Sequence, residues 1–337
     1  MKESYLYKKL PKNKVQCQTC AHYCVLEPGE RGKCGVRENI EGKLYVLNYE
    51  KLIAIHIDPI EKKPLYHFLP NTYSLSIAAV GCNFSCLNCQ NWEISQAFKG
   101  KKEIPGEKVS PEEIVKIALE NKLPSISYTY TEPTIFLEYA LDIMKLAKKA
   151  GLKNIFVSNG FMSPESAELV IPYLDANNID IKGFSESFYQ KVCAGRLDPV
   201  LETAKLMKKS GVWIEITTLV IPNLSDSEKM FKEIAIWIKE NLGAETPWHI
   251  SRFSGEISWK LQNLPDTPIE VLEKAIKIGK EVGLKYVYIG NVPGHQAENT
   301  FCPTCGALVI SRINYFVHRY DNNGKCPRCG EELSIYC

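Results

Sequence analysis

A surplus of one charge is what this chain most plainly lacks. Its 337 residues carry 41 Lys+Arg against 39 Asp+Glu, a formal net charge of +2. That near-balance argues against a broad nucleic-acid surface or an anionic-membrane face. Short basic runs at Lys8-Lys9 and over residues 99–102 read as solvated faces. Long apolar runs are missing too, and none approaches the length needed to span a bilayer. Residues 1–10 are polar and charged, without the apolar stretch of a secretory leader, so a cytoplasmic, membrane-free protein is expected. No P-loop, no His-Glu-x-x-His run and no Ser-His-Asp set stands out. No solenoid period recurs. Apolar content of 45% is ordinary and permits a sizeable core. The length suggests about two domains.

Cysteine is the abundant exception, with 13 residues. They fall into three clusters and two singles, Cys193 and Cys337. Clustered C-x2-C pairs in a chain without a leader read as metal sites rather than disulfides. Cys193, alone in its segment, reads as a small packed hydrophobe.

The middle cluster, Cys82, Cys86 and Cys89, is spaced C-x3-C-x2-C. A closed zinc site wants four ligands, and no fourth is adjacent. A cubane iron–sulfur cluster has four irons, so three thiolates leave one iron open to a small molecule. S-adenosylmethionine is the cofactor such clusters reduce to begin radical chemistry, and the loop points there.

Around this loop the chain alternates strand-like and helix-like segments. Strands are expected at residues 74–80, 125–130, 154–157, 178–181, 212–220, 248–251 and 286–289. Helices are expected from Ser110, over 135–150 with Gly151 as C-terminal stop, over 164–174, and over 199–210 ending at Gly211. Two more begin at the capping patterns Ser225-x-x-Glu228 and Thr267-x-x-Glu270. Such alternation implies parallel pairing with right-handed crossovers. The expected fold is α/β: a partial (β/α)6-type TIM barrel over 71–297, an N-terminal Cys-rich extension over 1–70, and a C-terminal zinc ribbon over 298–337. Active sites of such folds lie in the loops after the strands. There the chain places Glu132, Ser158, Asn159, Asp180, His249 and Arg252. Trp248, Arg252, Tyr288, Asn291 and His295 are expected to line the substrate pocket.

The C-terminal set Cys302, Cys305, Cys326 and Cys329 matches a zinc ribbon, with a rubredoxin-like iron site on the same spacing as the alternative. The N-terminal set Cys17, Cys20, Cys24 and Cys34 reads as a second metal site, for zinc or an iron–sulfur cluster. Zinc is the commoner occupant of four thiolates, and His22 is a candidate replacement ligand.

With these motifs, the chain resembles the radical S-adenosylmethionine superfamily, in its pyruvate formate-lyase activating enzyme-like branch. It is most similar there to the AmmeMemoRadiSam system enzymes. Residues 58–70, 81–95, 247–253 and 288–292 carry the resemblance, which covers nearly the whole chain. It implies a [4Fe–4S] cluster on Cys82, Cys86 and Cys89, with S-adenosylmethionine on the open iron. Glu132 would meet the cofactor's amino group, Ser158 and Asn159 its ribose or carboxylate, and Asp180 its sulfonium side. His249 would approach the same region, and His249 and Arg252 are the catalytic candidates. The family's two glycines before the glutamate are Tyr130 and Thr131 here, and its usual aromatic before the last cysteine is Asn88. The implied activity is radical hydrogen abstraction, or activation of a glycyl-radical enzyme. The implied partners are a substrate, an electron donor such as ferredoxin or flavodoxin, and AMMECR-like and Memo-like proteins.

Overall fold

The computed structural model describes every residue but Lys102, so the basic run over 99–102 ends outside the described residues. An eight-stranded sheet forms the centre. Its strands are β1 (Ala54–Pro59), β2 (Tyr73–Ala78), β3 (Ser125–Tyr128), β4 (Lys153–Ser158), β5 (Ala176–Asp180), β6 (Trp213–Val220), β7 (Trp248–Arg252) and β8 (Val287–Gly290). They lie side by side in chain order. Strands β2 to β8 are parallel, and β1 runs antiparallel to β2 with Ala54 opposite Ala78. The sheet is open: among the described residues no ladder joins β8 to β1.

Among the described residues, six helices of 7 residues or more connect the parallel strands: α1 (Pro111–Glu120), α2 (Leu137–Lys149), α3 (Pro164–Val170), α4 (Asp198–Lys209), α5 (Glu228–Asn241) and α6 (Ile269–Val282). Alternation along the strands sets the faces. On β7, Trp248 and Ile250 join the apolar core, whereas His249 sits in a polar network. Gly279 of α6 lets Trp248 close in, for a Cβ there would lie 3.2 Å from the indole. Trp248 is thus part of the core and not of a substrate pocket, correcting the expectation drawn from its loop position.

Two helix starts differ from the capping patterns in the sequence. Ser110 caps α1 as expected, accepting from Glu113 N at 3.2 Å. For α5 the cap is Ser227, not Ser225. Ser225 Oγ instead accepts from Ile221 N at 2.9 Å and donates to Leu219 O at 3.1 Å, bracing the turn after β6. Thr267 likewise ties strand ends together, donating to Val220 O at 2.5 Å and accepting from Phe253 N at 3.2 Å. A hydroxyl competes for whichever backbone group lies nearest, and here the loops win over the helix.

The terminal regions pack onto this frame. Two small three-stranded sheets precede β1. They dock on α2 through Arg37, whose Nη2 meets Glu138 Oε2 at 2.6 Å, with the arginine 2% and the glutamate 0% exposed. Ser4 Oγ and Tyr5 N also donate to Glu138, at 2.9 and 3.0 Å, so the buried carboxylate is fully engaged. At the other end, strands Thr300–Phe301, Leu308–Ile313 and Phe316–Arg319 form an antiparallel sheet. From it Arg312 reaches Tyr66 O at 2.9 Å, joining the C-terminal module to the segment that connects β1 and β2.

Candidate active site

The three-cysteine loop leaves the C-terminal end of β2, as the sequence implies. Several elements hold it. Asn48 Nδ2 donates to Val80 O at 2.9 Å, and Asn83 Nδ2 to Phe161 O at 3.1 Å. His22 Nε2 lies 2.8 Å from Asn83 O. The histidine thus braces this loop through Nε2, and it also lines the cavity of the N-terminal thiols it was a candidate to join. Lys99 is not a solvated cation either, because its Nζ donates to Phe84 O at 3.1 Å and Ser85 Oγ at 3.2 Å.

Donors gather on the sulfurs. Cys82 Sγ accepts from Phe84 N at 3.4 Å and Asn159 Nδ2 at 3.8 Å, and Cys89 Sγ lies 3.3 Å from Ser95 Oγ. Burial and then the Glu132 carboxylate push the Cys82 thiol far up. Cys86 is raised chiefly by a hydrogen bond with the Cys193 thiol and next by burial. Burial also raises Cys89. Thiolates in such surroundings need positive charge next to them, and a cluster's irons supply it. Three thiols on one braced loop, each rim sulfur already met by a donor, fit a [4Fe–4S] cluster. Cys193 packs in the core as expected, and the structure adds its contact with Cys86.

Glu132 is buried at the start of the turn after β3. Its Oε1 accepts from Thr134 N at 3.0 Å, Thr134 Oγ1 at 2.6 Å and Ser158 Oγ at 2.9 Å. Its Oε2 accepts only Asn159 N, at 2.8 Å, among its hydrogen bonds. Burial raises this carboxyl, and the Thr134, Asn159 and Ser158 donors oppose the rise. Glu132, Ser158 and Asn159 thus meet Cys82 in one place. Asp180, at the end of the next strand, lies within electrostatic reach of Cys86. Its Oδ2 pairs with Lys182 Nζ at 2.6 Å. Burial acts against the Lys182 charge, but Asp180 and the Cys86 and Cys193 thiols outweigh it and raise the amine. Asn88, inside the loop, keeps a buried Oδ1 without a hydrogen-bond partner.

His249 does not come to this group. It is the second residue of β7, and its Nε2 lies 2.7 Å from Glu215 Oε2. Its ring stacks on Tyr288 at 5.3 Å and meets Tyr66 edge-on at 4.7 Å. Glu215 in turn accepts the backbone N–H of Tyr66 and His67, both at 2.9 Å, so this network anchors the segment between β1 and β2. Tyr288 is buried within it, and with His295 it lines a cavity of about 490 Å³ whose lining includes none of the three cysteines. Arg252 ends β7, with Nε on Thr267 O at 2.9 Å and Nη2 3.7 Å from Asp266. Asn291, exposed, donates to Arg252 O at 3.0 Å, and His295 lies 3.3 Å from Glu273.

A polar group absent from the site expected on sequence is Asp58, Lys63 and Tyr130. Lys63 is buried, with Nζ 2.6 Å from Asp58 Oδ2 and 4.6 Å from the Tyr130 ring centre. The Tyr130 hydroxyl also donates to Asp58. Burial lowers the Lys63 amine to about 8 despite Asp58. Tyr130 stands at φ 63° just past β3, a conformation that turns its ring under the strand end. Tyr130 and Asp58 are 72 apart along the chain. The run over 58–70 was a signal, but only the β1–β2 antiparallel pairing places it beside β3.

The C-terminal cysteines form a compact set. Cys302 and Cys329 lie 3.6 Å apart, as do Cys305 and Cys326, and all four sulfurs fall within 4.8 Å of one another. Bonds of about 2.3 Å in a tetrahedron put thiolates about 3.8 Å apart, so this set is of the size for one metal ion. The four N-terminal thiols line one small cavity, with His22 and Arg37 also in its lining. No helix among the described residues is long and apolar enough to cross a membrane.

Comparison with known proteins agrees with this geometry. A family model described as the radical SAM superfamily matches residues 76–234. An uncharacterized protein of Methanocaldococcus jannaschii is 49% identical over 338 residues, covering 99% of each chain. The pyruvate formate-lyase-activating enzyme of Clostridium pasteurianum is 23% identical over 216 residues, or 60% of this chain and 88% of that protein. Among solved structures, Streptococcus suis SuiB bound to S-adenosylmethionine superimposes with a TM-score of 0.50 at 12% identity, over 69% of this chain and 53% of that one, a likeness of fold alone. The three-cysteine loop has the company it needs in this chain, which belongs to the radical SAM superfamily.

Proposed function

We propose that this protein is a radical S-adenosylmethionine enzyme of the AmmeMemoRadiSam type. Its open sheet acts as a partial (β/α)6 barrel around a substrate that gives up a hydrogen atom. The observation that carries the reading is the meeting of Cys82 with Glu132, Ser158 and Asn159 at the C-terminal ends of β2, β3 and β4. When bound, the [4Fe–4S] cluster and S-adenosylmethionine supply a 5′-deoxyadenosyl radical for hydrogen abstraction.

The chain's own residues bind, orient and shield. Cys82, Cys86 and Cys89 hold the cluster. Glu132 presents Oε2 to the cofactor's amino group while Thr134 and Ser158 fix its other oxygen. Ser158 and Asn159 serve the ribose or carboxylate, and Asp180 the sulfonium side. Asn88 offers its unpartnered amide oxygen to the adenine, where relatives stack an aromatic ring. Phe84 packs on Phe161 at 5.0 Å and on Tyr189 at 6.1 Å, closing the loop's apolar side to water. The Asp58, Lys63 and Tyr130 group gives the substrate side a buried charge pair and a phenol.

The C-terminal thiols bind zinc in a ribbon that staples a module too small to hold its own core. A low-potential ferredoxin or flavodoxin supplies electrons in the cytoplasm, and AMMECR-like and Memo-like proteins handle substrate or product. The resemblance to a pyruvate formate-lyase-activating enzyme favours a second reading, in which the hydrogen comes from a backbone glycine of a partner protein. Incubation with deuterated extract of the native host separates the two. Label from a small molecule in 5′-deoxyadenosine supports the first reading. A glycyl doublet in the electron paramagnetic resonance (EPR) spectrum of a partner protein supports the second.

A further inference from the structure

We propose that the cavity beside β8 binds a nucleoside monophosphate, at a site apart from the radical centre. The assignment does not depend on the chemistry proposed above.

The cavity holds about 490 Å³, within the range of small-molecule sites. Residues of α6 and β8 form one wall, and residues 295–306, which lead into the C-terminal module, form the other. None of Cys82, Glu132, Ser158, Asn159 and Asp180 belongs to its lining.

Charge selects an anion. Lys280 and Lys285 line the cavity, are exposed, and have no ion pair among the described residues. Glu273 is the sole acid of the described lining, and it faces His295 at 3.3 Å. The charge left over is positive and comes from two ammonium groups. Lysine ammoniums are point charges suited to phosphate.

The edge of β8 selects a base. β8 is the last strand of the sheet, so one of its sides has no neighbouring strand. Trp248 N donates to Tyr286 O at 3.0 Å, and Val287 is the residue opposite Trp248. Hydrogen-bonding groups alternate in direction along a strand, so the N–H and C=O of Val287 point away from β7 to the free edge. Val287 lines the cavity. One donor and one acceptor side by side match the edge that a nucleobase presents. Phe301, partly exposed in the opposite wall, offers a ring on which the base can stack.

Two further polar groups suit the sugar. Asn299 Oδ1 accepts from Arg312 N at 2.6 Å, which leaves its amide N–H to donate. The Tyr286 hydroxyl is buried near Ser334 and has no partner of hydrogen-bond geometry. Leaving a buried hydroxyl unmet is costly, so a ligand oxygen there is favoured. A nucleotide seated here touches both walls and clamps the C-terminal module to the sheet.

The test is equilibrium dialysis of AMP, GMP, CMP and UMP against the full-length, reconstituted, unreduced protein, with and without S-adenosylmethionine. Binding of at least one of them tighter than about 1 mM is expected, unchanged by S-adenosylmethionine. The matching nucleoside and ribose 5-phosphate should each bind at least about tenfold more weakly. Lys280→Ala/Lys285→Ala should lose at least about tenfold in nucleotide affinity while keeping the wild-type melting temperature without ligand. Gln296→Trp, which fills the cavity from an exposed position of its lining, should lose binding as well. The proposal is overturned if none of the four nucleotides binds, or if both variants bind like wild type. Displacement by S-adenosylmethionine would place the nucleotide at the radical centre and also overturn it. Ribose 5-phosphate binding as tightly as the nucleotide would reduce the cavity to an anion patch and reject the base contacts. Failure of the protein to cleave S-adenosylmethionine would refute the proposed function and leave this binding measurement standing.

Discussion

The carbonyl oxygen of Cys34 rests against Gly81, the residue before the first cysteine of the radical site. A Cβ at Gly81 would lie 3.1 Å from that oxygen and 3.1 Å from Ile135 and Val36 side-chain carbons. Gly81 also stands at φ 116°, where other residues are strained. Gly81→Ala is predicted to cost roughly 2 kcal/mol, as strained backbone positions do, and to lower iron content at the three-cysteine loop. Thermal melting and iron analysis check this, and an unchanged melting temperature would speak against the contact.

Arg37 and Glu138 tie the N-terminal module to α2. Arg37→Met alone leaves Glu138 buried without its cation, at a cost of roughly 3–5 kcal/mol. Arg37→Met with Glu138→Leu should recover much of that loss, because apolar replacement of a buried pair is near neutral. A double-mutant cycle by urea unfolding measures it. The pair also sets an acid limit. Burial alone would raise the Glu138 carboxyl, but Arg37 overrides it and lowers it below 4.5. A lowered carboxyl adds stability that is complete above pH 4.5 and disappears as pH falls through its folded value.

His67 predicts a second pH dependence. Its Nδ1–H donates to Ser334 O at 3.1 Å, and its Nε2 accepts from Tyr288 Oη at 2.7 Å, so the ring is neutral. Burial, followed by smaller effects, depresses it from 6.5 to about 4. The unfolded chain then binds the proton first, and stability falls as pH drops from 6.5 towards 4. The loss amounts to roughly 3 kcal/mol at 1.36 kcal/mol per unit. His67→Gln should reduce the slope of melting temperature over this window, leaving the share of His22, which burial likewise lowers to about 4, and a slope equal to wild type would assign it elsewhere.

The fold was legible where periodicity and loop chemistry agree. The strand before Cys82, the six βα units and the Ser110 cap all follow from local pattern. The caps at Ser225 and Thr267 were not, because a hydroxyl's partner depends on which loop folds over it. β1 escaped the sequence reading because its face is half polar and it pairs antiparallel with β2, outside the alternation. Within the site, Cys82, Cys86 and Cys89 carry their chemistry in their spacing. His249 looked like a rim residue from its loop, yet one position along a strand separates rim from interior, and Glu215 claims it. Lys63 and Asp58 lie far from Tyr130 in sequence, so no local pattern joins them.

Asn88 tests how the adenine is held. Asn88→Ala should weaken S-adenosylmethionine binding about tenfold, the equivalent of 1.4 kcal/mol for one lost hydrogen bond. Asn88→Tyr restores the relatives' aromatic and should recover part of the loss by stacking. Equilibrium dialysis on the reconstituted, unreduced protein gives both constants. Equal affinity in all three proteins would remove Asn88 from the cofactor site.

The most direct measurement is 5′-deoxyadenosine formation by anaerobically reconstituted protein given dithionite and S-adenosylmethionine. Wild type is predicted to form 5′-deoxyadenosine and methionine, and Cys86→Ala to form neither while staying folded. Failure of a fully iron-loaded wild type to cleave the cofactor, or undiminished cleavage by Cys86→Ala, would contradict the account.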